Sequence, residues 1–213
     1  MIQAAIFDLD GTLGDTLPMC IEAFRRTIRA HTGMTVDDEA VTRYFGASDR
    51  GVLAGCLPEE DVEALMREYM GYYRELHPVM APSPFPWVKD LLANLRSKGI
   101  RLAMVTGKEP ESAEVTLRVF GLQEIFERVE TGDRRRVVKA ECLRRILTDW
   151  RLKPEQAVYV GDAPSDVRAC REAGVPIIAA AWARSADAEA LKAEEPDVLL
   201  ADASGLEEAI LRF

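Results

Sequence analysis

Two acidic residues near the start of the chain, Asp8 and Asp10, have the type and spacing to act on one substrate. They follow a short apolar run at residues 4–7, and in an extended chain residues two apart point to the same side. Adjacent carboxylates repel each other, so the pair needs a cation or a raised pKa on one member. Gly11 permits a tight bend, and Thr12 adds a hydroxyl and an N–H. The pattern favours Mg²⁺-assisted phosphoryl transfer, with one carboxylate as nucleophile and the other as proton carrier.

Two other interpretations of this stretch remain open on local grounds. Asp-x-Asp-Gly also begins calcium-binding loops, but such a loop needs further oxygen ligands and a closing Glu. Residues 13–18, Leu-Gly-Asp-Thr-Leu-Pro, do not supply that pattern. The second alternative is a strand end followed by an ordinary turn, which only the rest of the chain can weigh.

Two further acids follow a later strand. Asp162 comes directly after the apolar run 157–161, and Asp166 follows it within the next turn. Ligands of parallel α/β sheets bind beyond the carboxyl ends of the strands, so we expect Asp162 to lie beside Asp8. These two carboxylates could bind one Mg²⁺ together with water and a substrate phosphate. Asp166 either holds a metal-bound water or N-caps the next helix.

Groups that can hold a phosphoryl oxygen follow the strand at residues 101–106. Thr106 offers a hydroxyl and Gly107 an unhindered N–H, although Thr106 also suits a strand as a β-branched residue. Lys139, at the start of a predicted helix, can neutralise both the nucleophile and the transferring group. Taken alone, Lys139 is equally an ordinary surface lysine. The arginines at 134–136 are more typical of a solvated loop than of a substrate site.

The elements that must position these residues alternate between helix and strand over most of the chain. Helices are predicted near 88–98, 111–120, 140–150 and 165–173 and after 204, and strands near 4–7, 101–106, 128–131, 157–162, 176–182 and 198–200. This alternation predicts an α/β fold with a doubly wound parallel sheet. Ser204 and Glu207 match the pattern of a capping box for the last helix.

Residues 16–80 have the pattern of an α-helical insert without a strand. Helices are predicted over 17–32, after a cap at Asp37 or Asp38, and over 62–76, with a loop at 46–51. Prolines at 78, 82, 84 and 86 mark the return linker. Two short crossings on either side of a helical insert predict a cap domain, residues 16–80, hinged on a core formed by residues 1–15 and 81–213.

Composition and charge argue against several classes of protein. The 213 residues are 48% hydrophobic and 30% charged, which is typical of a soluble globular protein. A net charge of −9 argues against nucleic acid as a partner, because phosphate backbones bind basic surfaces. No run approaches the roughly 18 apolar residues of a membrane span, so no membrane partner is expected. The four cysteines, at 20, 56, 142 and 170, are scattered singly, which favours reduced thiols and a cytoplasmic location.

Four segments together resemble the motifs of the haloacid dehalogenase-like (HAD) hydrolase superfamily. They are Asp8-Leu-Asp10-Gly-Thr, Thr106-Gly-Lys, Lys139 and Gly161-Asp162-Ala-Pro-Ser-Asp166, in the order and at the intervals of that family. The helical insert after the first motif is similar to the type 1 cap of subfamily I. The resemblance covers the whole chain, and within the superfamily the chain looks most like the phosphoglycolate phosphatase group.

This resemblance implies a Rossmann-like core, Mg²⁺ as cofactor and an aspartyl-phosphate intermediate. By position, Asp8 would attack phosphorus, and Asp10 would protonate the leaving alcohol and then activate water. The implied Mg²⁺ ligands are Asp8, the Asp10 backbone carbonyl and Asp162, with Asp166 acting through water. The groups that would hold the phosphoryl oxygens are Thr106, Gly107 and Lys139.

Three positions depart from the family's pattern without removing a reacting group. Gly14 stands where relatives usually have Val, which we expect to loosen the first hinge. Ala140 replaces the Pro that commonly follows the lysine of the third motif, and Trp87 replaces the Gly of a Pro-Gly-Val segment before the return helix. Trp87 either closes one side of the pocket or packs between cap and core.

The acid at Asp10 narrows the reaction, because dehalogenases and phosphonate-cleaving relatives lack one there. The resemblance therefore implies a phosphatase that acts on a small phosphorylated metabolite, as a monomer or homodimer. One alternative is a β-phosphoglucomutase-like phosphosugar mutase, whose cap loop loosely resembles residues 46–50, so that Gly46 and Arg50 are the candidate specificity residues. Another is a catalytically silent phosphate-binding protein, against which the intact set of acids and Lys139 argues.

Overall fold

A six-stranded parallel sheet forms the centre of the molecule in the computed structural model, which describes residues 1–58, 60–132 and 138–213. The strand order is β3-β2-β1-β4-β5-β6, and each neighbouring pair is parallel. The strands are β1 (Ala4–Phe7), β2 (Arg101–Val105), β3 (Arg128–Glu130), β4 (Ala157–Gly161), β5 (Ile177–Ala180) and β6 (Val198–Leu200).

The α-helices of the described residues fall into an amino-terminal group and a group that alternates with the strands. The first group is α1 (Leu17–Thr32), α2 (Glu39–Thr42), α3 (Asp49–Cys56) and α4 (Val62–Met80). The second is α5 (Val88–Ser97), α6 (Pro110–Phe120), α7 (Lys139–Trp150), α8 (Pro164–Ala173), α9 (Ala188–Ala193) and α10 (Leu206–Arg212). Among the described residues, no helix combines the length and apolar character that crossing a membrane requires. The predicted fold class, a Rossmann-like doubly wound sheet, is confirmed.

Strand β1 lies at the middle of the sheet because its side chains are apolar on both faces. Ile6 belongs to one buried cluster with Ile146 of α7, whereas Phe7 belongs to a second cluster with Leu92 of α5. A parallel strand covered by helices on both sides reads as a continuous apolar run, which is what residues 4–7 show. The residue after β1, Asp8, is therefore carried to the centre of one sheet edge.

The amino-terminal helices bury a third apolar cluster of their own. Helix α1 packs along α4, and the rings of Phe24 and Tyr69 stack between them with centroids 4.3 Å apart. These helices occupy the residues predicted as the cap. The division into a cap (residues 16–80) and a core (residues 1–15 and 81–213) stays a proposal, and we use both names in that sense.

Two predictions about the cap were wrong. The predicted loop at 46–51 contains the start of α3, whose N-cap is Ser48, with its hydroxyl oxygen accepting the Gly51 N–H at 3.3 Å. The predicted linker began at Pro78, but α4 runs through Pro78 to Met80. A proline inside a helix is unfavourable, but Leu76 and Ala81 are both buried in the cap cluster, and this packing holds the helix to its end.

Near the carboxyl end, the predicted capping box at Ser204 and Glu207 was wrong, because Gly205 is the N-cap of α10. The Ser204 hydroxyl donates to Asp202 instead, and Glu207 faces Lys98 at 3.8 Å. Helix α9, which no pattern indicated, begins where the Asp187 carboxylate accepts the Ala190 N–H at 2.9 Å.

Candidate active site

The centre of the candidate site is Asp8, which follows β1 between β2 and β4. Its backbone N–H donates to the Val160 carbonyl at 2.9 Å and continues the parallel ladder by one residue. The chain turns outward from β1 in both directions across the sheet, so Asp8 lies at the topological switch point where open α/β sheets bind ligands.

The Asp8 carboxylate is held by two donors and is almost fully buried. One oxygen accepts the Leu9 N–H at 2.7 Å, and the other lies 2.6 Å from Lys139 Nζ. Burial raises the pKa of Asp8 to about 7, the Lys139 ammonium opposes this shift, and Asp166 adds to it. An ionised Asp8 at neutral pH therefore depends on positive charge close to its oxygens.

Lys139 connects two carboxylates across the site. Its Nζ lies 2.5 Å from Asp166 Oδ1 as well as 2.6 Å from Asp8 Oδ2, and 3.4 Å from the Tyr159 hydroxyl. Burial opposes the charge on Lys139, but Asp166 and Asp8 outweigh it and raise its pKa above the ordinary value. Tyr159 donates its own hydroxyl to the Val105 carbonyl at 2.9 Å, which anchors this group beneath the sheet edge.

Asp162 lies at the end of β4 and faces the loop that follows Asp8. Its Oδ1 accepts the Thr12 hydroxyl at 2.9 Å. Burial and the neighbouring carboxylates of Asp8 and Asp166 raise its pKa well above the ordinary value. Gly11 has a φ of +71°, and a Cβ there would lie 2.0 Å from Asp162 Oδ2, so only glycine allows this approach.

Asp8, Asp162 and Asp166 form the acidic cluster that could hold a metal ion. Their ligand oxygens lie within 4.8 Å of one another. A few carboxylates completed by water and a substrate phosphate suit Mg²⁺, and the raised pKa values of Asp8 and Asp162 mark carboxylates that lack enough positive charge. The alternative that Asp166 is the N-cap of the next helix was wrong, because Ala163 is the N-cap of α8. Asp166 lies in the first turn, where its Oδ2 accepts the Ala163 N–H at 3.2 Å.

Asp10 lines the same cavity as Asp8 and contacts Thr16 and Lys108. The Thr16 hydroxyl donates to its Oδ1. Lys108 Nζ lies 3.4 Å from the same oxygen, although its side chain is only 3% exposed. Burial opposes the charge on Lys108, but Asp10 together with Cys20, Tyr73 and Tyr69 outweighs it, so the Lys108 pKa lies well above the ordinary value.

Lys108 is a site residue without a role predicted from the sequence, although it belongs to the Thr106-Gly-Lys motif. Its position directly after Thr106-Gly107, at the end of β2, was the available signal. Thr106 is 2% exposed and its hydroxyl oxygen accepts the Lys108 backbone N–H at 3.2 Å, while Gly107 lines the cavity described next. The Gly132 N–H donates to the Lys108 carbonyl at 2.6 Å, so the turn after β2 is bonded to the segment that follows β3.

A cavity of about 150 Å³ lies between these groups and the cap. On the core side it is lined by Asp8, Asp10, Gly107, Lys108, Lys139, Asp162, Ala163 and Ser165. On the cap side it is lined by the apolar residues Leu17, Phe24, Phe45 and Val52, with Cys20, Gly46, Ala47 and Asp49. Six of the predicted site residues therefore line one cavity: Asp8, Asp10, Asp162, Lys139, Gly107 and Gly46. Thr106, Asp166 and Arg50 are not among its lining residues.

Arg50 instead joins the cap to the core through Glu109. Its guanidinium pairs with the Glu109 carboxylate and with Glu63 Oε2 at 3.1 Å. The Ser48 hydroxyl donates to Glu109 Oε1 at 3.1 Å, and Asp49 accepts the Glu109 backbone N–H at 3.0 Å. Sequence reasoning missed this network, because nothing local relates residues 48–50 to residue 109.

Three further predicted positions lie away from the cavity or outside the described residues. Trp87 lies on the core, in ring contact with Phe85 and Trp182 at centroid distances of 6.0 and 5.3 Å. At Gly14 a Cβ would lie 2.5 Å from the Phe120 ring, so close packing is a reason for glycine there. The arginines at 134–136 lie outside the described residues.

Comparison with known proteins extends over the whole chain. The sequence profile described as haloacid dehalogenase-like hydrolase matches residues 5–180. The chain is 31% identical to a phosphoglycolate phosphatase of Synechococcus elongatus, over 100% of this chain and 99% of that protein. It is 30% identical to the pyrophosphatase PpaX of Bacillus thuringiensis, over 96% of this chain and 94% of that protein.

Solved structures show the same fold. CbbY from Rhodobacter sphaeroides, determined in complex with phosphate, superposes with a TM-score of 0.78 at 24% identity and covers 96% of this chain and 97% of its own. The matched residues include Asp8, Thr106, Lys139 and Asp162. The chain therefore belongs to the haloacid dehalogenase-like hydrolase family, as a phosphoglycolate phosphatase-like member.

Proposed function

We propose that this phosphoric monoester hydrolase is a Mg²⁺-dependent phosphatase that acts on a small phosphorylated metabolite through a phosphoryl group carried on Asp8. The observation that carries the proposal is the buried Asp8–Lys139 pair, 2.6 Å apart, at the floor of a cavity that Asp10 also lines. The named phosphatases among its relatives support the same reaction class.

In the first step Asp8 supplies the nucleophilic oxygen. An Oδ–phosphorus bond forms while the bond from phosphorus to the ester oxygen breaks. Lys139 lies beside this carboxylate, so its ammonium keeps Asp8 ionised and balances the charge of the transferring group. Thr106 and Gly107, at the end of β2, are the proposed holders of the remaining phosphoryl oxygens, with Lys139.

Asp10 transfers the protons. It protonates the leaving alcohol in the first step and, as a carboxylate, accepts a proton from the water that then cleaves the phosphoaspartate. The hydrogen bond from the Thr16 hydroxyl orients its Oδ1. Because Thr16 lies at the start of the cap, this contact couples the orientation of Asp10 to the position of the cap.

Mg²⁺ fits the acidic cluster that the described residues form. We assign its binding to Asp8, Asp162 and the Asp10 backbone carbonyl, with Asp166 acting through water. When bound, the ion supplies positive charge to the phosphoryl oxygens and to the crowded carboxylates. The Thr12 hydroxyl holds Asp162 toward that position.

The small cavity supports a small substrate. Its volume of about 150 Å³ is well below the roughly 300 Å³ at which pockets for drug-sized ligands begin. Short phosphate esters such as phosphoglycolate fit this limit better than the sugar bisphosphate that a mutase needs. The catalytically silent alternative has less support, because Asp8, Asp10, Lys139 and Asp162 all lie at one site.

The test is release of inorganic phosphate from p-nitrophenyl phosphate and from a panel of phosphorylated metabolites, with Mg²⁺ and with EDTA. We expect Mg²⁺-dependent turnover that Asp8→Asn abolishes, whereas Asp202→Asn, at an exposed carboxylate of the core, leaves it unchanged. Binding of phosphate without turnover would instead support the silent alternative. Isomerisation of a hexose phosphate that requires a sugar bisphosphate would support the mutase.

Location and assembly complete the proposal. The four cysteines are free thiols, which is consistent with a reducing cytoplasm. We propose a monomer or homodimer, to be measured by light scattering on the purified protein.

A further inference from the structure

Lys108 is the cation of the cavity that the proposed chemistry leaves without a task. Lys108 and Lys139 are the cations among the described residues that line the cavity. Lys139 contacts two carboxylates, Asp8 at 2.6 Å and Asp166 at 2.5 Å. Lys108 instead contacts Asp10 at 3.4 Å and Cys20 of the cap at 3.2 Å, next to the group proposed to protonate the leaving alcohol.

The ammonium group of Lys108 has three hydrogens to donate, and its contacts do not use all of this hydrogen-bonding capacity. Its Nζ lies 3.2 Å from Cys20 Sγ, a weak acceptor, and 4.6 Å from the centre of the Tyr73 ring. The nearest described carboxylate oxygen, Asp10 Oδ1, is 3.4 Å away and already accepts the Thr16 hydroxyl. Its pairing with Asp10 is long and uses one acceptor, so the ammonium keeps capacity to bind a substrate anion as well.

The cap side of the cavity directs a polar leaving group toward Lys108. Its large side chains are apolar: Leu17, Phe24, Phe45 and Val52. The exception is Asp49, whose carboxylate accepts from the Tyr69 hydroxyl at 3.2 Å, the Glu109 N–H at 3.0 Å and the Ser112 hydroxyl. An anionic end would therefore be repelled by Asp49 and unsatisfied against the apolar side chains, whereas Lys108 can pair with it.

We propose that Lys108 is a specificity-determining residue that binds a second anionic group on the leaving alcohol. It thereby selects phosphate monoesters whose carboxylate or second phosphate lies a short spacer away from the scissile bond. The small volume of the cavity favours a short spacer. This inference rests on the proposed phosphatase function and deepens it.

Two esters of similar length test the inference, because they differ in the second charge. 2-Phosphoglycolate carries a carboxylate on its leaving alcohol, and ethyl phosphate carries none. We expect wild type to prefer 2-phosphoglycolate in kcat/KM, and Lys108→Met to lower that preference by roughly 10- to 100-fold, as for a lost charged hydrogen bond. Because the variant also removes the 3.4 Å contact with Asp10, we expect a common loss of turnover for both esters, and the readout is the ratio of their kcat/KM values.

Controls separate recognition from structure. Methionine retains an unbranched apolar side chain without the charge. Lys108→Arg restores the charge, so Lys108→Arg should recover part of the preference. Lys89→Met removes an exposed cation of α5 that does not line the cavity, and should change neither ester's turnover. If Lys108→Met lowers all turnover, binding of the two esters to Asp8→Asn and to the double variant, measured by calorimetry, gives the same ratio without catalysis.

The outcomes distinguish the inference from the function on which it rests. Equal losses for both esters in Lys108→Met, or equal preference in wild type, would overturn the assignment of Lys108 and leave a phosphatase. Failure of wild type to release phosphate from either ester or from p-nitrophenyl phosphate would overturn the proposed function, and the inference with it.

Discussion

Asp49 of the cap and Glu109 of the core are linked by reciprocal contacts. The buried carboxylate of each one accepts hydrogen bonds from the segment that contains the other. Asp49 Oδ2 accepts the Glu109 backbone N–H at 3.0 Å, and Glu109 accepts the Ser48 hydroxyl at 3.1 Å and pairs with Arg50. The two contacts are reciprocal, so separating the cap from the core breaks both at once. This pairing lies at the margin of the cavity, since Asp49 is one of its lining residues.

Glu109→Gln should weaken this pairing and raise KM. The amide loses the charge that pairs with Arg50, and a buried polar contact of this kind contributes about 1–3 kcal/mol. We therefore expect a loss of roughly 1–3 kcal/mol in the free energy of unfolding and a several-fold rise in KM, measured by urea unfolding and steady-state kinetics.

The matched control is Arg74→Gln, because Arg74 of α4 pairs with Glu111 of α6, another contact between cap and core. Both of its side chains are 52% exposed, and exposed pairs contribute little. We expect unchanged KM and a change in unfolding free energy within about 0.5 kcal/mol. Equal effects of the two variants would contradict the role of burial.

Without metal, stability should fall as pH rises from about 4 to 7. The Asp8 pKa is raised from 3.8 to about 7, so between these values the folded protein holds a proton that the unfolded chain has lost. Stability from this group is complete below the unfolded value and is lost as pH rises through the folded value. Asp162, with its raised pKa, acts in the same direction.

Added Mg²⁺ should therefore raise the unfolding temperature more at pH 7.5 than at pH 5, because it replaces protons on these carboxylates. Thermal unfolding with Mg²⁺ and with EDTA across this range measures the difference. Asp8→Asn removes one of the titrating groups and should flatten the metal-free profile. A Mg²⁺ effect that does not depend on pH would contradict this linkage.

Lys139→Met should lower kcat by roughly 10²- to 10³-fold, the size of effect seen when a group that stabilises transition-state charge is removed. Its Nζ contacts both Asp8 and Asp166, and no other described cation lies on Asp8. Tyr159→Phe removes the 3.4 Å neighbour of Lys139 but leaves its ion pairs, so its effect should be much smaller. Single-turnover kinetics would check both, and similar losses would count against Lys139 as the charge-balancing group.

Gly11→Ala should displace Asp162 and weaken Mg²⁺ binding. Its φ of +71° is unfavourable for alanine, and the added Cβ would lie 2.0 Å from Asp162 Oδ2. Gly33→Ala is the matched control, since φ there is +69° and nothing lies within 4 Å of its Cβ position. Both variants should lose about 1 kcal/mol from backbone strain, but only Gly11→Ala should lose Mg²⁺ affinity, measured by calorimetry. Normal Mg²⁺ affinity in Gly11→Ala would contradict the close approach.

The sequence by itself determined the sheet and the edge at which the acids lie. Apolar runs followed directly by Asp8 and Asp162 are local patterns, and a parallel sheet must bring the ends of such strands together. Helix α7 begins at Lys139, as predicted, and its ammonium reaches Asp8. The catalytic and metal-binding roles of these residues stay predictions, although their proximity is a property of the fold.

Only the tertiary structure decided which residues of the cap and the core contact each other. Arg50 was predicted to be a candidate specificity residue, but its guanidinium forms an ion pair with Glu109, which is far away in the sequence. The sequence assigned no role to Lys108, whereas the structure places its ammonium against Cys20 and Tyr73 of the cap. Helix α4 continues through Pro78 for a similar reason, because packing outweighs a local preference. Such contacts join residues distant in sequence, and local periodicity and propensity carry no record of them.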